Sequence, residues 1–200
     1  MNVLEAIKSR RSVKHFDTNH KLSADEQKQI IELAMLSPTA FNIQHWRFVV
    51  VNDKKLREEL KKAAWNQNQV TDASMLVIMC ADLKAWEKEP SRYWKNADKA
   101  VQEFMIPGIQ NYYSENLQVQ RDEAFRSSGI AAQTLMLAAK GLDLDSCPMD
   151  GFDFNKVAEL INLPEDHAIV MFVAIGKALK EANPRGGQIS TEEVLIQDKF

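Results

Sequence analysis

The sequence predicts a mixed α/β (α+β) protein, one central sheet with helices between and around its strands. Segments dense in β-branched, aromatic or other apolar residues stand at 46–51, 75–80, 142–146 and 168–175. That is the composition of strands. The stretches between them carry apolar residues at helical spacing. No internal repeat or low-complexity linker divides the 200 residues, so 1–200 reads as one domain with one core.

The elements follow in order. Residues 2–9 read as a short helix running into a basic cluster. Ser23-Ala24-Asp25-Glu26 has the form of a capping box, with the hydroxyl and the later carboxylate each serving the other's backbone N–H. Ile30, Ile31, Leu33, Ala34 and Leu36 continue it as an apolar face, and Pro38 stops it. Trp46 to Val51 is a strand. Asp53 caps a charged helix over 54–64. Met75 to Cys80 is apolar at successive positions, the pattern of a strand buried on both faces. The stretch 95–118 reads as helix interrupted at Pro107-Gly108. Residues 122–140 form the strongest helix, apolar around most of its surface, with Gly141 as a left-handed stop. Asp153 caps a helix over 154–161. The tail, 177–200, is polar and contains the irregular Asn183-Pro184-Arg185-Gly186-Gly187. A tail this long packs on a partner subunit or frays.

Composition excludes several function classes. The chain is 45% hydrophobic and 26% charged with a net charge of -3, an ordinary globular profile. No global basic field points to nucleic acid or an anionic membrane. No apolar run reaches the length of a membrane span, and the first residues lack the apolar region of a secretory leader. The expected compartment is the cytoplasm, with Cys80 and Cys147 as buried free thiols. The four histidines, His15, His20, His45 and His167, have no metal-ligand spacing. GxGxxG, GxxxxGK[ST], GxSxG and HExxH are missing. Redox chemistry here would therefore come from an organic cofactor.

Three segments hold side chains suited to a ligand. Arg10, Arg11, Ser12 and Lys14 gather forked guanidinium donors, a hydroxyl and a point charge, as a phosphate requires. Taken alone, the cluster fits a solvated basic helix end better. Ser37-Pro38-Thr39-Ala40-Phe41-Asn42-Ile43-Gln44-His45-Trp46 joins a helix to a strand. Its Asn42 and Gln44 suit the edge of a heteroaromatic ring, and it fits a helix-stopping turn equally well. In Cys147-Pro148-Met149-Asp150-Gly151-Phe152-Asp153, Gly151 permits close backbone approach and the Asp150–Gly151 amides suit a planar ligand. A strand-to-helix turn accounts for the same residues.

Together the three segments resemble the FMN-dependent nitroreductase family over nearly the whole chain. Arg10-Arg11-Ser12-Val13-Lys14 looks like its phosphate- and ring-binding segment. Ser37-Pro38-x-x-x-Asn42-x-Gln44-x-Trp46 looks like its Ser-Pro-Ser-x-x-Asn-x-Gln-Pro-Trp motif, and Pro148-Met149-Asp150-Gly151-Phe152 like its Pro-x-Glu-Gly-Phe motif. The resemblance implies a three-layer fold, a central mixed sheet flanked by helices, in an intertwined homodimer. It implies FMN as cofactor and NADH or NADPH as co-substrate, with ping-pong hydride transfer through flavin N5 to a nitroaromatic, a quinone or a similar small acceptor. Arg10, Ser12 and Arg185 would serve the phosphate end, and Arg11 would contribute mainly through its backbone. Lys14 would lie against the pyrimidine edge, where a cation favours reduced flavin. Asn66 and Gln69 would contact the pyrimidine and ribityl portions. Pro148, Met149, Asp150 and Gly151 would sit near N5, largely through backbone. Pro38, Thr39, Ala40 and Asn42 would reach the flavin of the other subunit. No side chain need act as acid or base; Lys14 and Asp150 tune the ring. Tyr112 and Tyr113 are either walls of a substrate channel or aromatic packing. Three departures stand out: His45 in place of Pro, Asp150 in place of Glu, and a single tail cation, Arg185. The same scaffold also suits a pteridine or enone reductase, a dehalogenase, or a flavin-binding protein with little turnover.

Overall fold

The computed structural model describes residues 1–200. Its elements are α1 (Val3–Ser9), α2 (Ala24–Ala34), β1 (Trp46–Val50), α3 (Lys54–Ala63), α4 (Gln69–Asp72), β2 (Met75–Asp82), α5 (Lys99–Tyr113), α6 (Leu117–Gly141), β3 (Asp145–Met149), α7 (Phe154–Leu160), β4 (His167–Gly176) and α8 (Thr191–Val194). Short 3-10 turns occupy Ala40–Asn42 and Pro90–Trp94. The sheet order is β1-β2-β4-β3. All three strand pairings are antiparallel. The parallel component is one isolated bridge, Ser12 to Ser146.

Alternation along the central strands makes three layers. Leu76, Ile78 and Cys80 of β2 join Phe172 and Ala174 of β4 in one core, under α3, α4 and α7. Met75, Val77, Met79, Val173 and Ile175 turn to the other face, against α2 and α6. This is the period-2 rule acting on a strand covered on both sides. Every residue of β2 is buried. A third, smaller cluster joins Ile43, Ala85, Trp86, Ile109 and Tyr113. No helix is long and apolar enough to cross a membrane.

The capping box at Ser23 and Glu26 forms with both bonds present. The Asp53 and Asp153 caps form as well. Three local expectations are corrected. Pro107 lies inside a continuous α5. The bond it forfeits is offset by burial of Ile109 and Tyr113 farther along the same helix. Gly141 is the last helical residue with ordinary φ, and the left-handed position falls two residues later, at Asp143 with φ 58°. The strand expected at 142–146 therefore starts later, since Leu142 and Asp143 are consumed in leaving α6. β3 pairs with β4 through Met149, which moves Cys147, Pro148 and Met149 into the strand.

Candidate functional site

The site begins where α1 stops. Arg10 leaves helical geometry with ψ 130° while its N–H still closes on Ala6. The chain then runs extended beside the outer edge of β3. The Val13 N–H donates to the Ser146 carbonyl at 3.0 Å, and Leu179 N–H to the His15 carbonyl at 2.9 Å. Val13 and Phe16 turn into the core, which leaves Ser12 and Lys14 exposed on the outer side. The alternation of an extended chain thus separates anchor from ligand-facing residues.

Over this segment lies the tail loop. Arg10, Arg11, Ser12 and Lys14 face Asn183 to Gln188 across an open cavity of about 470 Å³. The Arg185 guanidinium donates to the Lys8 and Arg10 carbonyls at 3.4 and 3.3 Å, and Arg11 donates to the Asn183 carbonyl. Four cations line the cavity, and no carboxylate does. None of the four forms an ion pair. Uncompensated guanidinium and ammonium groups around a hydroxyl are the donor set of a phosphate site.

Lys14 and Arg10 also lie near Cys147 of β3. Burial raises the Cys147 thiol pKa, while Lys14, Gln69 and Arg10 beside it act in the opposite direction. Gln69 is itself buried. Its amide donates to the Gln67 Oε1 at 3.2 Å, and the Gln67 Nε2 donates to the Gly151 carbonyl at 2.8 Å. Asn66 is exposed one residue before, in left-handed conformation with φ 59°. Asp150 is exposed and Gly151 half-buried, and neither backbone N–H donates to any protein atom. A Cβ at Gly151 would stand 2.8 Å from the Trp65 ring, so any larger residue there displaces that ring. Pro148 is half-buried in β3. The Met149 side chain belongs to the core, so any contact it makes outside is through backbone. Sequence reasoning missed Gln67 and Trp65. Trp65 is 70% exposed at a φ of 53°, a conformation that costs an aromatic residue energy.

The segment Pro38 to Asn42 sits elsewhere on the same chain. Pro38, Thr39 and Ala40 line a separate cavity of about 230 Å³ with Glu123, Arg126, Ser127 and Ile130 of α6. Asn42 donates to the Tyr93 carbonyl at 2.8 Å. Phe41, Asn42 and Gln44 all have positive φ, held by the Thr39 hydroxyl, which accepts from Gln44 N–H, and by Trp94, which donates to the Phe41 carbonyl. His45 is wholly buried and pairs with the Asp82 carbonyl at 3.0 Å. Tyr113 is wholly buried too, stacked on Trp86, and so is packing rather than channel wall. Tyr112 is partly exposed and packs on Phe41.

One carboxylate cluster lies outside this site. Asp82, Asp166 and His167 bring ligand atoms within 4.8 Å of one another. Lys88 Nζ sits among them, 2.9 Å from Asp82 and 2.6 Å from Asp166, and Arg47 pairs with Asp82. The protein supplies its own cation there.

These segments and this fold have known counterparts. Residues 7–177 match the model of the nitroreductase family. Protein DrgA of Synechocystis is 50% identical over 182 residues, 91% of this chain and 87% of that one. YodC of Bacillus subtilis, named as an NAD(P)H nitroreductase, is 34% identical over 187 residues, 91% of this chain and 92% of its own. A protein from Exiguobacterium sibiricum, described as nitroreductase-like and solved in complex with FMN, superposes with a TM-score of 0.91 at 29% identity, covering 98% of this chain and 97% of that one. With its fold and its family model in agreement, the chain belongs to the nitroreductase family of oxidoreductases.

Proposed function

We propose that the chain binds FMN in the cation-lined cavity and uses NADH or NADPH to reduce nitroaromatic, quinone or similar acceptors by a ping-pong route. The observation that carries this reading is the set of four cations around Ser12, none of them in an ion pair and no carboxylate beside them. Arg10, Ser12 and Arg185 hold the phosphate, and Arg11 contributes from its tether to the tail loop. Lys14 places a positive charge at the pyrimidine edge, with Asn66 and Gln69 beside it. Pro148, Met149, Asp150 and Gly151 present backbone to the ring, and Asp150 adds a flanking carboxylate. FMN, when bound, supplies hydride acceptance and donation at N5. The protein's part is orientation and electrostatics, with no side chain acting as acid or base.

The functional unit in this reading is a homodimer in which the whole chain acts as one FMN-binding domain. Pro38, Thr39, Ala40 and Asn42 complete the partner's site, and the tail packs across the interface. Exposed apolar side chains support it: Val3, Leu4 and Ile7 on α1, Leu36, Phe104 on α5, Leu117, and Leu195 and Phe200 in the tail. Val3, Leu4 and Ile7 stand together on one seven-residue helix, an arrangement that suits a subunit interface. A steady-state screen of a nitroaromatic, a quinone, a pteridine and an enone with each nicotinamide tests the acceptor class. Turnover of the nitroaromatic or quinone is the expected outcome; turnover of the pteridine or enone alone, or of none, contradicts it.

A further inference from the structure

Gly151 is fixed on both sides. The Asp150 carbonyl accepts from Phe152 N–H at 3.1 Å, a three-residue turn around Gly151. The Gly151 carbonyl accepts from Gln67 Nε2 at 2.8 Å, across 84 residues of sequence. The direction of that side-chain amide is itself determined. Gln67 Oε1 accepts from Gln69 Nε2, so its NH₂ is the end that faces Gly151. Gln69 in turn is buried against Cys147, beside Lys14. With the peptide planes on both sides of the Gly151 Cα held, the turn has little freedom left. Its two N–H groups, of Asp150 and Gly151, donate to nothing in the protein.

We propose that Gln67 is a positioning residue of the flavin site: oriented by Gln69, its amide holds the Gly151 carbonyl and so, through the turn, aims the Gly151 N–H at the redox-active ring. This rests on the FMN reading above. Donors fixed in advance favour the form of the ring with more negative charge, at no cost of reorganisation. The same bond links the two halves of the site, 66–69 and 147–151.

Gln67→Met keeps the length and removes the donor, while Gln67→Glu keeps the shape and sets an acceptor against the carbonyl. Two readouts apply. In flavin-free protein, amide hydrogen exchange at Phe152 rises about tenfold in Gln67→Met, as loss of one net hydrogen bond predicts, while exchange at Ile78 in the core stays unchanged. In the FMN-loaded protein, flavin remains bound, because the phosphate cations are intact. Its two-electron potential falls by about 30 mV for each tenfold loss of preference for the reduced form. Gln67→Glu shows the larger fall. Unchanged Phe152 exchange together with an unchanged potential overturns the role of Gln67 and leaves the flavin reading standing. A wild-type protein that takes up no FMN overturns both.

Discussion

Arg10 illustrates how a side chain becomes a ligand group. It sits at the end of α1, where a cation would ordinarily face the helix carbonyls. The backbone instead turns extended at Arg10, and the tail loop brings Arg185 against its carbonyl. Arg10→Ala is expected to weaken FMN binding by roughly tenfold to a hundredfold, the value of about 1.5–3 kcal/mol for a charge-assisted hydrogen bond. Fluorescence titration of flavin-free protein reads the change, and unchanged affinity removes Arg10 from the phosphate site. Ser12 and Lys14 were legible because they are contiguous with Arg10 and alternate with Val13. Gln67 was not, because its partner is 84 residues away and glutamine side chains carry no local signal. The positive φ values of Phe41 and Trp65 were also hidden, since aromatic residues do not advertise a left-handed backbone.

Among the elements, His45 ties the entrance of β1 to the exit of β2. Its ring bonds the Asp82 carbonyl and lies 6.0 Å from the Tyr113 ring of α5. Burial lowers its pKa, against the raising effects of Asp82 and Glu123. The folded protein therefore resists a proton that the unfolded chain accepts near its ordinary pKa of about 6.5. Stability from neutral His45 is complete above that pH and is lost as pH falls toward the depressed folded value. The denaturant midpoint should fall on going from a pH above about 6.5 to one about a unit below it, and His45→Gln, though less stable at neutral pH, should show a flatter dependence. An identical pH slope in the variant contradicts this. Capping residues were readable from sequence because their bonds are local, as at Ser23, Asp53 and Asp153. The boundaries that shifted, at Pro107, Gly141 and β3, were decided by tertiary burial and by strand pairing with β4, which no local window contains.

At the scale of the molecule, the four-stranded sheet arranges its edge so that an N-terminal cluster, a tail loop and a strand-end turn meet at β3. Hydrophobic patterning made the layers legible, down to the doubly buried β2. Antiparallel pairing throughout was less so, because a strand covered on both faces reads the same in either direction. Pro38, Thr39 and Ala40 line one cavity, Asn42 a second and Arg10 a third in the same chain. If they complete the partner's site, dilution or mild denaturant that separates the dimer releases flavin. Size-exclusion chromatography with absorbance detection should show the two events together, and a monomer retaining stoichiometric FMN refutes the shared site. Anaerobic titration of FMN-reconstituted protein with NADH and with NADPH tests the flavoenzyme reading most directly. The expected result is stoichiometric flavin uptake and bleaching of the visible flavin band by at least one nicotinamide, with the colour restored by the acceptor. A protein that takes up no FMN, or whose bound flavin neither nicotinamide bleaches, contradicts it.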